Sequence, residues 1–422
     1  MTNNNTTYKS TAIGLIPNDW DVERFDNVFE LFTTNSFSRD NLTYEKTENE
    51  IQNIHYGDIH SKFKNVILDC ALEQLPFIKD DLILNQKFNY LKDGDLIIAD
   101  ASEDYDGVGV SVELKNIGSK KIVAGLHTFL ARDNSSKTAL GFRTYIFNNP
   151  KVGIELKKIA TGTSVFSISK SELKKLKVPI PSISEQLKIA SILSTWDVAI
   201  DNCKAIIENL KNRNIGLAQQ LLSGKMRVKG FDKSQWHLKS VEEVAVFKNG
   251  KAHENCIDEE GDYFVVNSKF ISTQGKVAKA SNENLCPLFK SDITMVMSDI
   301  PNGKALAKCF YIPEDDKYTL NQRICALTAR KGTDSKFLYY QMNRNNYYLA
   351  FNNGVSQTNL KKEEVLECPL LMPDIEEQIQ IVKLIDTATE ELNHYQQKLA
   401  ALQLQKKGLM QQLLTGQTRV KI

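Results

Sequence analysis

The sequence predicts an α+β protein. Two globular mixed α/β blocks alternate with two long helices, and the helices pair as an antiparallel coiled coil. Three observations carry this. Residues 181–229 align without a gap on 373–421, and 17 of those 49 pairs are identical. Inside both copies apolar residues recur at alternating steps of four and three, the pattern of a helix burying one seam against a partner helix. The stretches before each copy, 1–180 and 236–372, hold short strand-like runs, turns and polar loops, as a mixed fold requires.

The chain has 422 residues, 41% of them hydrophobic and 25% charged, an ordinary balance for a protein with real cores. No window offers the ~20 continuous apolar residues of a membrane span. The stretch MTNNNTTYKS has no apolar core of a secretory signal, so a cytoplasmic protein without a membrane partner is expected. Seven scattered cysteines form no CxxC pair and six histidines form no HxxxH, so reduced thiols, mostly in cores, and no metal site are expected. A formal net charge of +1 argues against a chain coated in basic residues, though not against local basic surfaces.

The first block, 1–180, begins near IPNDWDVERFDNVFEL (16–31), and the second, 236–372, near QWHLKSVEEVAVF (235–247). Trp20 matches Trp236, and Val28 matches Val244. GDLIIAD (94–100) and SDITMVM (291–297) read as strands, and both blocks end on a Gly-Ser turn in which Gly162 and Ser164 match Gly354 and Ser356. The helical segments occupy 181–235, which includes a linker, and 373–422. Ser182 with Glu185, and Asp374 with Glu377, fit capping boxes, while Gly224 and Gly416 fit C-terminal stops. In the first copy the seam runs Ile189, Leu193, Trp196, Ile200, Cys203, Ile207, Leu210, then Leu217 and Leu221. In the second it runs Ile381, Ile385, Ala388, Leu392, Tyr395, Leu399, Leu402, then Leu409 and Leu413. Both seams are broken at one matched place, Asn214 and Lys406, where a polar residue fixes register at a cost in stability. Residues 374–391 carry six acids and one lysine, whereas 396–422 carry five bases and no acid. Antiparallel pairing sets acid beside base, so that direction is expected.

Chemistry-bearing motifs are sparse. There is no GxGxxG after a strand and no GxxxxGK[ST], which leaves dinucleotide and P-loop sites unsupported. Asp106 with Glu113-Leu-Lys115 mimics the carboxylate spacing of a Mg-dependent nuclease, but Glu-x-Lys is a common tripeptide in this chain. Loops that mix Asn, Gln, Ser, Thr, Lys and Arg with Gly are the better candidates. Asn and Gln can pair bidentately with adenine, Arg and Lys with guanine, and hydroxyls can hold phosphate. In the first block the DNA-contact candidates are His55, Tyr56, Lys62, Lys64, Thr161, Thr163 and Ser164. In the second they are Lys269, Ser272, Thr273, Gln274, Lys276, Asn302, Lys304, Gln322, Arg323, Ser356, Gln357, Thr358 and Asn359. A coiled-coil scaffold that never touches bases is the competing reading, as is a stand-alone nuclease.

The segments PIPSISEQLKIASIL and LMPDIEEQIQIVKLI, the two QQLL[ST]G stretches, IGLIPNDW, STQGKV and GVSQTNL together resemble the specificity subunit of Type I restriction-modification systems, over essentially the whole chain. The resemblance implies two target-recognition domains and two conserved helices forming an antiparallel spacer, in a quasi-circular, pseudo-twofold arrangement. It also implies a non-catalytic, cytoplasmic subunit that reads a bipartite, asymmetric target in double-stranded DNA. Two modification (methyltransferase) subunits would dock on the helices and, beyond them, restriction subunits that drive translocation and cleavage with ATP. The cofactor, S-adenosylmethionine, would sit on the modification partner and none on this chain, which lacks an Asn/Asp-Pro-Pro-Tyr/Phe motif.

Overall fold

A computed structural model describes residues 7–63, 65–83, 86–105, 107–300, 303–352 and 354–421. The chain divides into two compact units, one of residues 1–204 with 397–422 and one of 205–396. The sequence places its boundaries at 180, 235 and 372, at the ends of the helices; the compact units instead divide both helices near their middles.

In the first unit a five-stranded sheet is ordered Phe29–Phe32, Thr128–Asp133, Leu96–Ala99, Ser111–Lys115, Ile67–Asp69. A four-stranded sheet is ordered Lys121–Ala124, Ile51–Ile54, Phe77–Ile78, Leu42–Thr43, with its first two strands parallel. The continuous apolar run Leu96-Ile97-Ile98-Ala99 is a strand buried on both faces. Leu96 and Ile98 join a core with Phe25, Phe29 and Tyr145, while Ile97 points into another with Ile54, Leu114 and Leu130. Ile189, Leu193 and Leu413 of the long helices belong to the first of those cores.

The second unit repeats the plan. Its four-stranded sheet is ordered Ala245–Asn249, Ile324–Ala329, Ile293–Val296, Cys309–Tyr311, and its three-stranded sheet Ala280–Ser281, Tyr263–Val266, Tyr318–Leu320, the last two parallel. Ile293 and Met295 share a core with Leu221, Ile381 and Ile385, and Val296 faces another with Phe270 and Tyr318. Each unit is closed by an antiparallel ribbon, Asp21–Arg24 with Lys177–Ile180 and His237–Ser240 with Pro369–Met372. Six of the seven cysteines are buried and Cys256 is half-buried.

The helices run Ile183–Leu222 and Ile375–Leu414, 40 residues each, or ~60 Å at 1.5 Å per residue. Both stop just before a glycine in the left-handed region, Gly224 at φ +70° and Gly416 at φ +72°. Their pairing is antiparallel within each unit. In the first, Asp197 pairs with Lys406 and Glu185 with Arg419. In the second, Arg213 pairs with Glu391 at 2.7 Å and Arg227 with Glu377 at 2.9 Å. Every one of these is a base facing an acid, as the charge segregation required. The seam positions are all withdrawn from solvent. Ile189, Leu193, Ile200, Cys203, Ile207, Leu210, Leu221, Ile381, Ile385, Ala388 and Leu413 are buried, and Trp196, Leu217, Leu392, Tyr395, Leu399, Leu402 and Leu409 half-buried. The two polar breaks have partners on the opposite helix: Lys406 meets Asp197, and Asn214 Nδ2 donates to the Ala388 carbonyl at 2.7 Å.

The capping boxes are a correction. Ser182 Oγ does accept from the Glu185 amide at 3.3 Å. The Glu185 carboxylate, however, does not turn back to the cap. It accepts from Trp20 Nε1 at 2.9 Å and from Arg419 Nε and Nη2 at 2.7 and 2.9 Å. Glu377 likewise accepts from Trp236 Nε1 at 3.0 Å, Ser234 Oγ at 2.8 Å, and Arg227 Nε and Nη2 at 2.9 Å. A bidentate guanidinium and an indole N–H offer a buried carboxylate more than one cap amide does. Beside them, Gln186 donates to the Pro181 carbonyl and Gln378 to that of Pro373, both at 2.8 Å. Gln186 Oε1 accepts from the Ala139 amide, and Gln378 Oε1 from that of Asp334. The identical Glu-Gln pairs of the repeat therefore tie each helix start to its own block.

Candidate nucleic-acid interface

In the first unit, strand Ile51–Ile54 runs directly into a short helix, Tyr56–Ser61. His55 caps that helix, its Nδ1 accepting from the Gly57 amide at 3.2 Å, and it is buried. Burial first, then the Arg39 charge, push its imidazole down from 6.5, which keeps it the neutral acceptor this cap needs. Arg39 also grips the buried Asp58 at 2.9 Å, fixing the helix from below. Tyr56 is half-buried, with its ring edge-on to His127 at 5.2 Å and His60 at 6.2 Å. His127 ends the turn Gly125–His127 between strands Lys121–Ala124 and Thr128–Asp133, at φ +55°. Its Nδ1 lies 3.2 Å from Asp100 Oδ1. Burial raises the Asp100 carboxyl from 3.8, and His127 opposes the rise only in part.

The remaining first-unit candidates scatter. Lys62 lies at the far end of the short helix, over the Tyr44 ring and bonded to the Gln74 carbonyl. Thr161 makes a backbone bridge with Ser167, at 2.9 and 2.8 Å, and Thr163 and Ser164 are exposed in the loop it closes. Strand Phe166–Ser167, just beyond that loop, pairs with Ala101–Ser102, next to Asp100, so the Gly-Ser loop sits on the His127 side of the unit. Lys64 lies outside the described residues.

In the second unit three loops converge. Ser298–Asp299 pairs with Thr358–Asn359, and Gln357 Nε2 donates to Ser298 Oγ at 2.8 Å. The Met297 amide donates to the Arg323 carbonyl at 3.1 Å, joining the Asn321–Arg323 turn to them. Arg323, Gln357 and Asn359 are exposed, Ser356 is exposed in the same loop, and Thr358 is buried. Gln322 reaches Glu254. Lys304 is exposed beyond Asp299, whose carboxylate receives the Ala305 and Leu306 amides, and Asn302 lies outside the described residues. Lys269 is exposed on the helix Ser268–Ser272, which follows strand Tyr263–Val266. Ser272, Thr273, Gln274 and Lys276 lie at its other end, where Thr273 Oγ1 bonds back to the Lys269 carbonyl at 2.8 Å, so they form a separate group.

The two described members of the nuclease-like pattern are engaged within the fold. Asp106 lies outside the described residues. Glu113 is buried and accepts from the Gly141 amide at 2.6 Å, with burial raising its carboxyl, while Lys115 pairs with Asp69. Among the described residues no group of three or more His, Cys, Asp or Glu could hold a metal. Nor is any described helix long and apolar enough to cross a membrane. Sequence reasoning missed His127 and Asp100. No motif marks AGLHT, whose importance appears only when its turn is set beside the Tyr56 helix.

A model of the Type I restriction modification DNA specificity domain matches residues 17–212 and again 233–403. A chain of Methanocaldococcus jannaschii that carries the name type I restriction enzyme MjaX specificity subunit is 24% identical, over 98% of this chain and 97% of its own length. The MjaVIII specificity subunit of the same organism is 23% identical over 72% and 76%. The fold is shared with the Type I S subunit from M. genitalium at TM-score 0.51 and 17% identity, each chain covered over 96%. It is also shared, at TM-score 0.62 and 14% identity over 96% of this chain and 99% of the other, with a chain from a study of type I restriction-modification complex assembly and conformational transition. With both blocks and most of both helices matched, the chain belongs to the family of Type I restriction-modification DNA specificity proteins.

Proposed function

We propose that each unit reads one part of a bipartite, asymmetric target in duplex DNA, and that the chain contributes recognition rather than catalysis. One observation carries this reading: the two units share strand order and closing ribbon, yet present different residues from equivalent loops, Tyr56 and His127 in one and Lys269 and Arg323 in the other. A common frame with different readout side chains is what an unlike pair of half-sites demands. The paired helices then offer surfaces for two modification subunits, which bring S-adenosylmethionine and, through them, for restriction subunits. The near-neutral net charge of +1 fits a protein whose partners share the neutralisation of phosphate. Such a complex works in the cytoplasm, where the DNA is.

The test exchanges residues 17–178 for the corresponding block of another family member and sequences methylated sites in a host that also carries the modification partner. One half of the target is expected to change and the other to persist. A change in both halves, or in neither, overturns the assignment of one reader to each unit.

A further inference from the structure

The two units carry the same three-residue turn at the same place in the sheet, and in both it ends on a strained residue. In the first, strand Lys121–Ala124 passes through Gly125, Leu126 and His127 into Thr128–Asp133; in the second, Tyr318–Leu320 passes through Asn321, Gln322 and Arg323 into Ile324–Ala329. Two backbone bonds make the equivalence exact to the residue. The Gly125 amide donates to the Ile54 carbonyl at 2.9 Å, as Asn321 does to Val266 at 3.2 Å. The His127 carbonyl accepts from the Asp100 amide at 3.1 Å, as Arg323 accepts from Met297 at 3.1 Å.

His127 has φ +55° and Arg323 φ +66°, a region that strains an L residue and costs glycine almost nothing. The chain has 21 glycines, several of them in left-handed turns, yet neither turn uses one here. Both side chains are exposed. Arg323 has no side-chain hydrogen bond or ion pair among the described residues, so its turn does not depend on that guanidinium. Strain kept at matched positions, with exposed polar side chains of different chemistry, points to function.

We propose that His127 and Arg323 are corresponding specificity-determining residues, each set by its turn against a base edge of duplex DNA. The proposal rests on reading the units as DNA readers. Arg323 presents a planar fork that matches O6 and N7 of guanine. His127 Nδ1 is turned to Asp100 at 3.2 Å, which leaves Nε2 free to face the DNA; in the neutral tautomer with the proton on Nδ1, Nε2 is an acceptor suited to the exocyclic amine of adenine or cytosine. The edge-on Tyr56 ring steadies that imidazole.

The test replaces each residue by glycine, which deletes the side chain and relaxes the backbone, in the full chain with its modification partner. Methylated sites and thermal melting are read together. His127→Asn, a second variant tolerant of the left-handed region, guards against loss of folding through the lost Asp100 contact. The expected result is loss of discrimination at one base pair per variant, roughly 5- to 150-fold, in opposite halves of the target. Arg323→Gly should relax a guanine position and melt no lower than the parent. An unchanged target, a relaxed position other than guanine for Arg323→Gly, or one variant altering both halves overturns the proposal. Exchange of residues 17–178 in the same assay separates the two levels. If that exchange moves a half-site while the glycine variants change nothing, only this proposal falls; if the exchange also changes nothing, the reading of the units as DNA readers falls with it.

Discussion

Glu185 and Glu377 occupy matched positions at the starts of the long helices, and each receives an indole N–H and a bidentate arginine. The arginines differ in what else holds them. Arg419 also makes a bidentate pair with Asp19, at 2.9 and 2.6 Å. Arg227 has instead the neutral oxygens of Ser234 and the Phe231 carbonyl, at 2.6 to 2.9 Å. The first clamp is a charge network with a spare acid, and the second leans on a single carboxylate. Two copies of one motif thus keep the same geometry while distributing charge differently.

That difference has consequences. Glu377→Ala strands Arg227, Ser234 Oγ and Trp236 Nε1, and breaking such a buried pair costs ~3–5 kcal/mol. Glu185→Ala should cost less, because Asp19 still neutralises Arg419. Urea unfolding of both variants checks the ranking; equal losses would erase the contrast. Acid sharpens it. Burial pushes the Glu377 carboxyl up from 4.5, but Arg227, Ser234 and Trp236 together outweigh burial and hold it lower. A carboxylate lowered in the folded state stabilises fully above the ordinary range, and that contribution is lost as pH falls below 4.5 through the lowered value. Glu377→Gln should therefore flatten the acid limb of the second unit's stability.

The seam gives the next effect. Leu193 is fully buried in the first unit's core, whereas Leu402 in the same unit is only half-buried. Leu193→Ala should cost ~2–5 kcal/mol and Leu402→Ala clearly less, as chemical denaturation would show. The glycine stops come after that. A side chain at φ +70° or +72° costs about 1–2 kcal/mol in either copy. A Cβ on Gly416 would also clash with the Pro17 ring, while one on Gly224 would meet the Trp236 ring at an easier 3.3 Å. Gly416→Ala should therefore lower the melting temperature more than Gly224→Ala. The smallest effect is expected at Asn214→Ala, which removes one side-chain bond to a helix carbonyl, about 0.5–1.5 kcal/mol. Lys406→Ala should exceed it, since it leaves Asp197 without its cation.

The helices were legible because periodicity and duplication reinforce one another: Ile189 and Ile381, or Gly224 and Gly416, state the same requirement twice. Antiparallel pairing was legible from segregated charge, and Arg213 with Glu391 shows the reason. The candidate interface was less so. His55 looked like a contact residue, but a polar group at a strand-to-helix junction is also what a cap requires. Lys62 looked free, but a long aliphatic stem finds an aromatic ring, and Tyr44 lies 18 positions away. His127 was invisible because its place depends on parallel pairing of Ile51–Ile54 with Lys121–Ala124, a register no local pattern encodes.

The first unit draws its core from both ends of the described chain. Asn149 Nδ2 donates to the Leu414 carbonyl, Tyr8 OH to that of Gly416, and Arg419 closes on Glu185. The second unit is one continuous stretch, 205–396. On the ribosome the order of completion is therefore reversed from the order of synthesis. Residues of the first block emerge early but wait for 397–421, while every residue of the second unit emerges ahead of that last stretch. A nonsense change after residue 396 would strike the domain translated first.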